Sequence, residues 1–477
     1  MTQPTHLLRR CASAAILAGL LVACAATPQA ATGAGTPQQA EPGPAPAVSP
    51  PPAGAPAPVA GEQAAAKPAY VPGDPVGTPG APPYSGPTGP FTPTGNAEMD
   101  SWREDFAARA RYEGRNPAVV FALLEGISPL DIYLGPNDRS EVANQAEFAK
   151  SIWDYLSTAV TDNRFETGRQ KLQELAPAFD VIERTYGVDR EAVSAIWAME
   201  TNFGGYIGNY RAANTLANMA VEGRRRGLAE SQLIALMKIV ENGYARLDQL
   251  GSGWAGAMGH TQFMPTTYLA YAQDFDGDGH SDVWDYPPDA LASAAHYLSR
   301  SGYRFGEPWG VEILAPAGFD WSMADGNDRR LSTWRAAGLS PIRGGGFGVE
   351  DSAYAELWLP AGATGPKYLL FRNFDVFKTY NRSNSYALAV GLLADGLAGQ
   401  FGPVAAWPRD IPRLTIEEVK QLQAALNTLG YGAGTVDGIA GPGTKGALQD
   451  FQKANGLLAD GYASRPALDA VLARLPS

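Results

Sequence analysis

Nineteen of the chain's 38 prolines fall between Ala25 and Gly95, in a stretch otherwise built almost wholly from Ala, Gly, Thr and Gln. Proline removes a backbone donor, and these neighbours supply no apolar face, so the segment cannot bury a core and is expected to stay disordered. The fold must come from the chain beyond it, beginning near residue 97. What the stretch offers is reach: about 70 residues span on the order of 50 Å as a flexible coil and on the order of 200 Å if fully polyproline-like. Residues 24–96 therefore read as a tether.

Ahead of it, MTQPTHLLRRCASAAILAGLLVAC carries Arg9 and Arg10 and then an apolar run of about a dozen residues, too short to span a bilayer. Residues 1–23 read as an export signal. Leu21-Val22-Ala23-Cys24 resembles the lipobox of bacterial lipoproteins, which implies a diacylated Cys24 as the new N-terminus. Ala25 follows, without the Asp that signals inner-membrane retention in such proteins. The resemblance thus implies a periplasmic protein anchored by lipid to the outer membrane of a Gram-negative cell. The only cysteines are Cys11 and Cys24, so the globular part has no disulfide or thiol chemistry. A mature chain without the two signal arginines carries −14 against −12 for the whole, which argues against nucleic acid as a partner.

From Met99 to about Leu397 helical periodicity dominates, as in Trp153 to Val160, Lys171 to Tyr186 and Ser231 to Leu250. Two alternating runs, Ala355–Leu359 and Lys367–Phe371, flank the turn-rich PAGATG and predict a β-hairpin. Breakers at Gly402-Pro403 and Trp407-Pro408 precede a unit over 414–477 in which two apolar blocks with helical spacing surround a Gly-rich loop. The expected architecture is mainly α with a small β insert over 97–405, plus a small C-terminal helical module.

Within the body, AIWAMETNFG (195–204) ends an apolar run on Glu200. Burial disfavours the charged form of a carboxylate, and that is how a general acid is made. Some fifty residues later GSGWAGAMGHTQFMP (251–265) supplies glycines that let backbone approach a ligand closely. Together with YAQDFDGDGHSDVWD and Tyr380-Asn-Arg-Ser-Asn-Ser-Tyr386, these motifs resemble the membrane-bound lytic murein transglycosylase B family over roughly residues 100–400. The resemblance implies a lysozyme-like α+β catalytic domain. It places the catalytic acid on Glu200 and groove residues on Tyr155, Met258, Gln262, Tyr297, Tyr380, Asn381 and Tyr386. Where the family commonly has Ser just before W-A-G or F-A-G, this chain has Gly253, with Ser252 one position early. Either Ser252 takes over that hydrogen bond, or water makes it, or it is absent.

Glycoside hydrolysis normally needs two carboxylates about the scissile bond, and no second one lies in the apolar and Gly-rich stretches near Glu200. A one-acid enzyme must find its nucleophile in the substrate. In lytic transglycosylases that is the muramoyl 6-hydroxyl, which closes a 1,6-anhydro ring. Two rivals stay open: a wall-anchoring lipoprotein that binds glycan without cutting, and a hydrolysing muramidase.

In DFDGDGHSDVWD (274–285), Asp274, Asp276 and Asp278 at positions 1, 3 and 5, Gly279 at 6 and the His280 carbonyl at 7 fit an EF-hand calcium loop. Position 12 is Asp285, a shorter side chain than the usual Glu. By family resemblance the last ligand falls on Asp289. A structural Ca2+ is expected, and no organic cofactor. A zinc or haem site is not credible with only His6, His260, His280 and His296 and no cysteine in the body. The unit from 414 resembles the three-helix peptidoglycan-binding domain through Leu422, Leu429-Gly-Tyr431, Asp437-Gly438, Phe451-Gln452 and Asp460-Gly461. Such a module implies peptidoglycan glycan strands as the partner and avidity for an insoluble polymer.

Overall fold

The computed structural model describes residues 84–134, 151–400, 402–411 and 414–476. The signal, Cys24 and the tether up to residue 83 lie outside the described residues. No helix among those described is long and apolar enough to cross a membrane.

Three cores organise the chain. The largest is helical and runs from Phe91 to Ala394; a second lies under a β-sheet between Ile313 and Phe371; the third belongs to the C-terminal module. At the centre of the first is the helix Arg190–Thr201, packed against the helices Asn384–Leu397, Asp162–Glu174 and Pro287–Arg300. Such central placement explains why its apolar residues do not alternate with polar ones: Ala192 to Ala198 are buried on every face.

Local chemistry set several boundaries differently from the periodicity. The run Lys171 to Tyr186 is two helices, Asp162–Glu174 and Ala176–Tyr186, because Pro177 opens the second. The run Ser231 to Leu250 stops as a helix at Glu241, where Asn242 and Gly243 begin a turn. The hairpin forms with Leu357 opposite Leu369, but it is the middle of a larger sheet. Strand Gly310–Leu314 pairs with Tyr368–Leu370, and two-residue strands at Arg329–Arg330 and Ser340–Pro341 complete five strands.

The expectation of a disordered tether up to residue 96 fails at its last part. Phe91 is buried, stacks on Phe121 at 5.2 Å and lies under the Arg103 guanidinium at 4.7 Å. The Tyr84 carbonyl accepts from Asn116 Nδ2 at 2.9 Å, and the Thr88 carbonyl accepts from Arg111 at 2.8 Å. One aromatic ring in a proline-rich segment, flanked by backbone carbonyls without helical partners, suffices to pin 84–96 to the first two helices, Ala97–Tyr112 and Pro117–Leu124.

The C-terminal module has three helices, Ile416–Thr428, Pro442–Ala454 and Arg465–Leu472. Its Gly-rich loop is held by buried Gln423, whose amide donates to Asp437 Oδ1 and Thr444 Oγ1 and accepts from the backbone of Asp437 and Gly438. The module rests on the sheet insert, where Asp460 accepts from the Ala363 amide at 3.0 Å.

Candidate active site

Glu200 sits in the last turn of the central helix and is 6% exposed. The chain then turns through three successive left-handed residues, Asn202 (φ 50°), Phe203 (φ 60°) and Gly204 (φ 79°). For a bulky residue such as Phe203 this conformation is an outlier, and it persists only where surroundings over-determine it. Those surroundings are visible. The Asn202 and Phe203 amides close onto Ala198 and Trp197 carbonyls, and the Phe203 ring packs edge-on against Trp197 at 5.5 Å. Thr201 Oγ1 accepts from the Gly204 amide and donates to the His260 carbonyl at 2.7 Å.

His260 is the residue sequence reasoning passed over. Its ring Nδ1 accepts from Trp197 Nε1 at 3.1 Å and its amide donates to the Val283 carbonyl at 2.9 Å. Burial holds its imidazole below its ordinary pKa, consistent with a neutral ring that accepts at Nδ1. The only sequence signal was a histidine inside a glycine run. Its meaning needed Gly204, 56 residues away, where a Cβ would lie 2.1 Å from the imidazole.

The glycine run folds as a tight double loop. Strand Gly251–Ser252 pairs with Tyr210–Arg211, and Met258 and Phe263 exchange backbone hydrogen bonds at 2.8 and 2.9 Å. Gly259, at φ 68°, approaches so close to the Val283 carbonyl that a Cβ would stand 2.3 Å from its oxygen. Met258 is fully buried within this loop. Gln262 is itself left-handed (φ 51°), and its amide nitrogen binds the Gly259 and Ile207 carbonyls at 2.9 and 3.2 Å. Ser252, also fully buried, turns its hydroxyl to the carbonyls of Gly253 at 3.0 Å and Tyr210 at 3.5 Å.

Spacing in YNRSNSY has a mechanical cause. Tyr380 ends the helix Arg372–Tyr380, the Asn381 side chain accepts from the Ser383 amide, and Ser383 caps the helix Asn384–Leu397 by accepting from Tyr386. The turn thereby brings Tyr386 to Glu200, and its hydroxyl donates to Glu200 Oε1. Burial and the Glu200 charge push both the Tyr380 and Tyr386 phenols well above their ordinary range, so both stay protonated. The Glu200 charge thus acts on Tyr380 as well as on Tyr386. Tyr155 lies near enough to Tyr386 to act on it electrostatically. Tyr380, Tyr297 and Tyr271 continue as an edge-to-face series with centroids 5.3 and 4.8 Å apart. The structure thus connects Glu200, Tyr386, Tyr155, Tyr380 and Tyr297, and the Tyr380 hydroxyl donates to the Thr261 carbonyl in the loop that carries Met258 and Gln262.

In the acidic loop, oxygen atoms of Asp274, Asp276 and Asp289 lie within 4.8 Å of one another. Asp274 accepts from the amides of Gly277, Asp278 and Gly279, and Asp278 accepts from the His280 amide. Asp289 is 1% exposed and bonded to the amides of Phe275 and Asp282, whereas Asp285 is exposed. Burial, with repulsion from Asp274 and Asp276, pushes the Asp289 carboxyl up to about 8. Three carboxylates so close, offering oxygen ligands only, suit a hard cation such as calcium. The far side of the loop reaches the glycine run twice, through Val283 to His260 and through Trp284 Nε1 to the Gly251 carbonyl at 3.0 Å.

Residues 98–395 match the Transglycosylase SLT domain and residues 415–471 a peptidoglycan binding domain. Membrane-bound lytic murein transglycosylase B of Escherichia coli K12 is 31% identical over 253 residues, or 51% of this chain. The match spans just under two thirds of that protein, 66% of its length. SltB3 of Pseudomonas aeruginosa, in complex with NAG-anhNAM-pentapeptide, is 38% identical with a TM-score of 0.73, over 79% of this chain and all of that one. Escherichia coli Slt35 in complex with calcium is 26% identical with a TM-score of 0.52, over 64% and 93% of the two chains. The chain belongs to the transglycosylase SLT family of lytic murein transglycosylases, with a peptidoglycan-binding domain at its C-terminal end.

Proposed function

We propose that the protein cleaves the β-1,4 bond between N-acetylmuramic acid and N-acetylglucosamine in peptidoglycan without water, leaving 1,6-anhydromuramic acid ends, with Glu200 as its sole acid and base. The observation that carries this reading is Glu200 itself: buried at the end of the central helix and hydrogen-bonded by the Tyr386 phenol. Protonated Glu200 gives its proton to the leaving glycosidic oxygen as the C1–O bond breaks. As carboxylate it then takes the proton of the muramoyl 6-hydroxyl while that oxygen bonds to C1, so the acid is regenerated and no water is consumed. Tyr386 holds one carboxylate oxygen, Oε1. Tyr155, Tyr297 and Tyr380 provide faces and edges for sugar rings. Met258, Asn381, Gln262 and Ser252 shape the groove.

Calcium in the loop of Asp274, Asp276, Asp278, the His280 carbonyl and Asp289 would neutralise the acidic cluster and stiffen the backbone that holds His260. Its role is structural. Diacylated Cys24 would anchor the protein to the periplasmic face of the outer membrane, and the C-terminal domain would hold it on the wall.

Mass spectrometry of sugars released from purified murein tests the reading. Anhydromuramoyl ends are expected from the wild type, and Glu200→Gln should release none while still binding murein. Reducing muramoyl ends, or cutting by the Gln variant, would refute the one-acid mechanism.

A further inference from the structure

The segment between the helical body and the C-terminal module, residues 402–411, forms no helix or strand, yet it is fastened along its length. Arg343 donates to the Gly402 carbonyl at 2.7 Å. The Glu312 carboxylate, on the strand Gly310–Leu314, accepts from the Val404 and Ala405 amides at 2.6 and 2.8 Å. Pro408 lies so close to the hairpin turn that a Cβ on Gly365 would stand 3.2 Å from its ring. Between these points the Trp407 indole meets the Trp153 indole, with centroids 6.2 Å apart and planes at 41°. Trp407-Pro408, a breaker in the sequence, is therefore part of a strap that ties the sheet insert to the helix Ile152–Ala159.

That helix carries Tyr155 two positions after Trp153, and both side chains are buried. At 3.6 residues per turn, positions i and i+2 point about 200° apart, so the two rings leave the helix on opposite sides. On the side of Trp153 is the strap. Tyr155 joins the helical core together with Tyr386, whose helix, Asn384–Leu397, packs against Ile152–Ala159 and brings the Tyr386 hydroxyl to Glu200. The helix is thus held between the strap and the wall of the cleavage site. With eight residues it is too short to keep its place by its own hydrogen bonds, so what packs on each side sets its seat.

We infer that Trp407 is a positioning residue for the glycan groove: it closes on Trp153, seats the helix Ile152–Ala159 against Asn384–Leu397, and so holds the Tyr155 ring where a sugar stacks. The inference rests on the groove role proposed above for Tyr155. It makes the segment between the domains a working part of substrate binding as well as a link to the wall-binding module. Trp407 itself acts through Trp153 and need not touch the glycan.

Calorimetric titration of a soluble tetrasaccharide of alternating N-acetylglucosamine and N-acetylmuramic acid into the full chain carrying Glu200→Gln tests it through affinity alone, whatever the cleavage chemistry. Every variant keeps the C-terminal module, so its contribution cancels. Tyr155→Ala should weaken binding, and Trp407→Ala should weaken it about three- to tenfold, the scale of one aromatic contact. Trp407→Phe keeps a ring against Trp153 and should stay within about twofold of the parent. In the Tyr155→Ala background Trp407→Ala should cost nothing further, a coupling that a general loss of stability would not produce. Glu312→Ala releases the strap without altering either indole and should weaken binding in the same direction, which keeps the test decisive if Trp407→Ala fails to melt cooperatively. No binding by the parent, or full binding by Tyr155→Ala, overturns the groove role of Tyr155 and the inference with it. Weakened binding by Tyr155→Ala beside unchanged binding by Trp407→Ala, or an equal loss from Trp407→Ala in both backgrounds, overturns the inference alone.

Discussion

Replacing Gly204 by Ala should disturb the end of the helix that carries Glu200, through one named collision. The new methyl would lie 2.1 Å from His260 Cε1 and 2.3 Å from Nδ1, far inside contact distance, and the residue would keep φ near +79°. The left-handed conformation costs an alanine about 1 kcal/mol, and forcing an extra methyl into packed surroundings costs about 1–3 kcal/mol. The sum, about 2–4 kcal/mol, corresponds to a melting temperature lower by roughly 4–8 °C. The imidazole can yield only by leaving Trp197 Nε1, so the turn at 201–204 shifts with it. A displacement of about 1 Å at a catalytic group is worth on the order of 10²-fold in rate. Thermal melts and murein-cleavage rates of Gly204→Ala, His260→Ala and the double variant make a cycle. Since His260→Ala removes the ring that is struck, Gly204→Ala should cost only its conformational part of about 1 kcal/mol in that background. An equal drop in melting temperature in both backgrounds would refute the collision argument.

Tyr386→Phe removes the donor to Glu200 without emptying the space, so kcat should fall about 10- to 100-fold with little change in KM, measured on soluble glycan strands. Calcium at about 100 times its Kd should stabilise the fold by about 2.7 kcal/mol, and Asp289→Asn should lose that gain in a melt with and without chelator. Burial raises the Asp395 carboxyl in the folded protein to about 7, well above the ordinary carboxylate range. Its contribution to stability is therefore fully present below pH about 4 and lost as pH rises through 7; Asp395→Asn should flatten the fall in melting temperature across that window, and parallel curves would contradict it. Phe91→Ala should lower the melting temperature through about 3 kcal/mol of lost burial, whereas no change would mean that residues 84–96 belong with the tether after all.

Much of this was legible because it rests on local chemistry. The burial of Glu200 follows from the apolar run that precedes it, whereas the turn from Tyr380 to Tyr386, held by Asn381 and Ser383, was carried by the resemblance alone. The preference for Asp289 over Asp285 could be carried only by resemblance, because the chain must fold back from 289 to 274 before the two carboxylates meet. Partnerships set by tertiary approach left still less trace: Gly204 beneath His260, Val283 against Gly259, Phe91 beneath Arg103. In each, one residue is small or aromatic for the sake of another that is remote in sequence, and a single sequence carries no sign of the pair. These silent contacts also connect what the motifs left separate. Val283 of the acidic loop holds the His260 amide, the His260 carbonyl holds Thr201, and its ring holds Trp197, so the loop's shape reaches Glu200 through one residue on three hydrogen bonds. A cation that orders the loop therefore acts on the acid through backbone geometry, without touching the substrate.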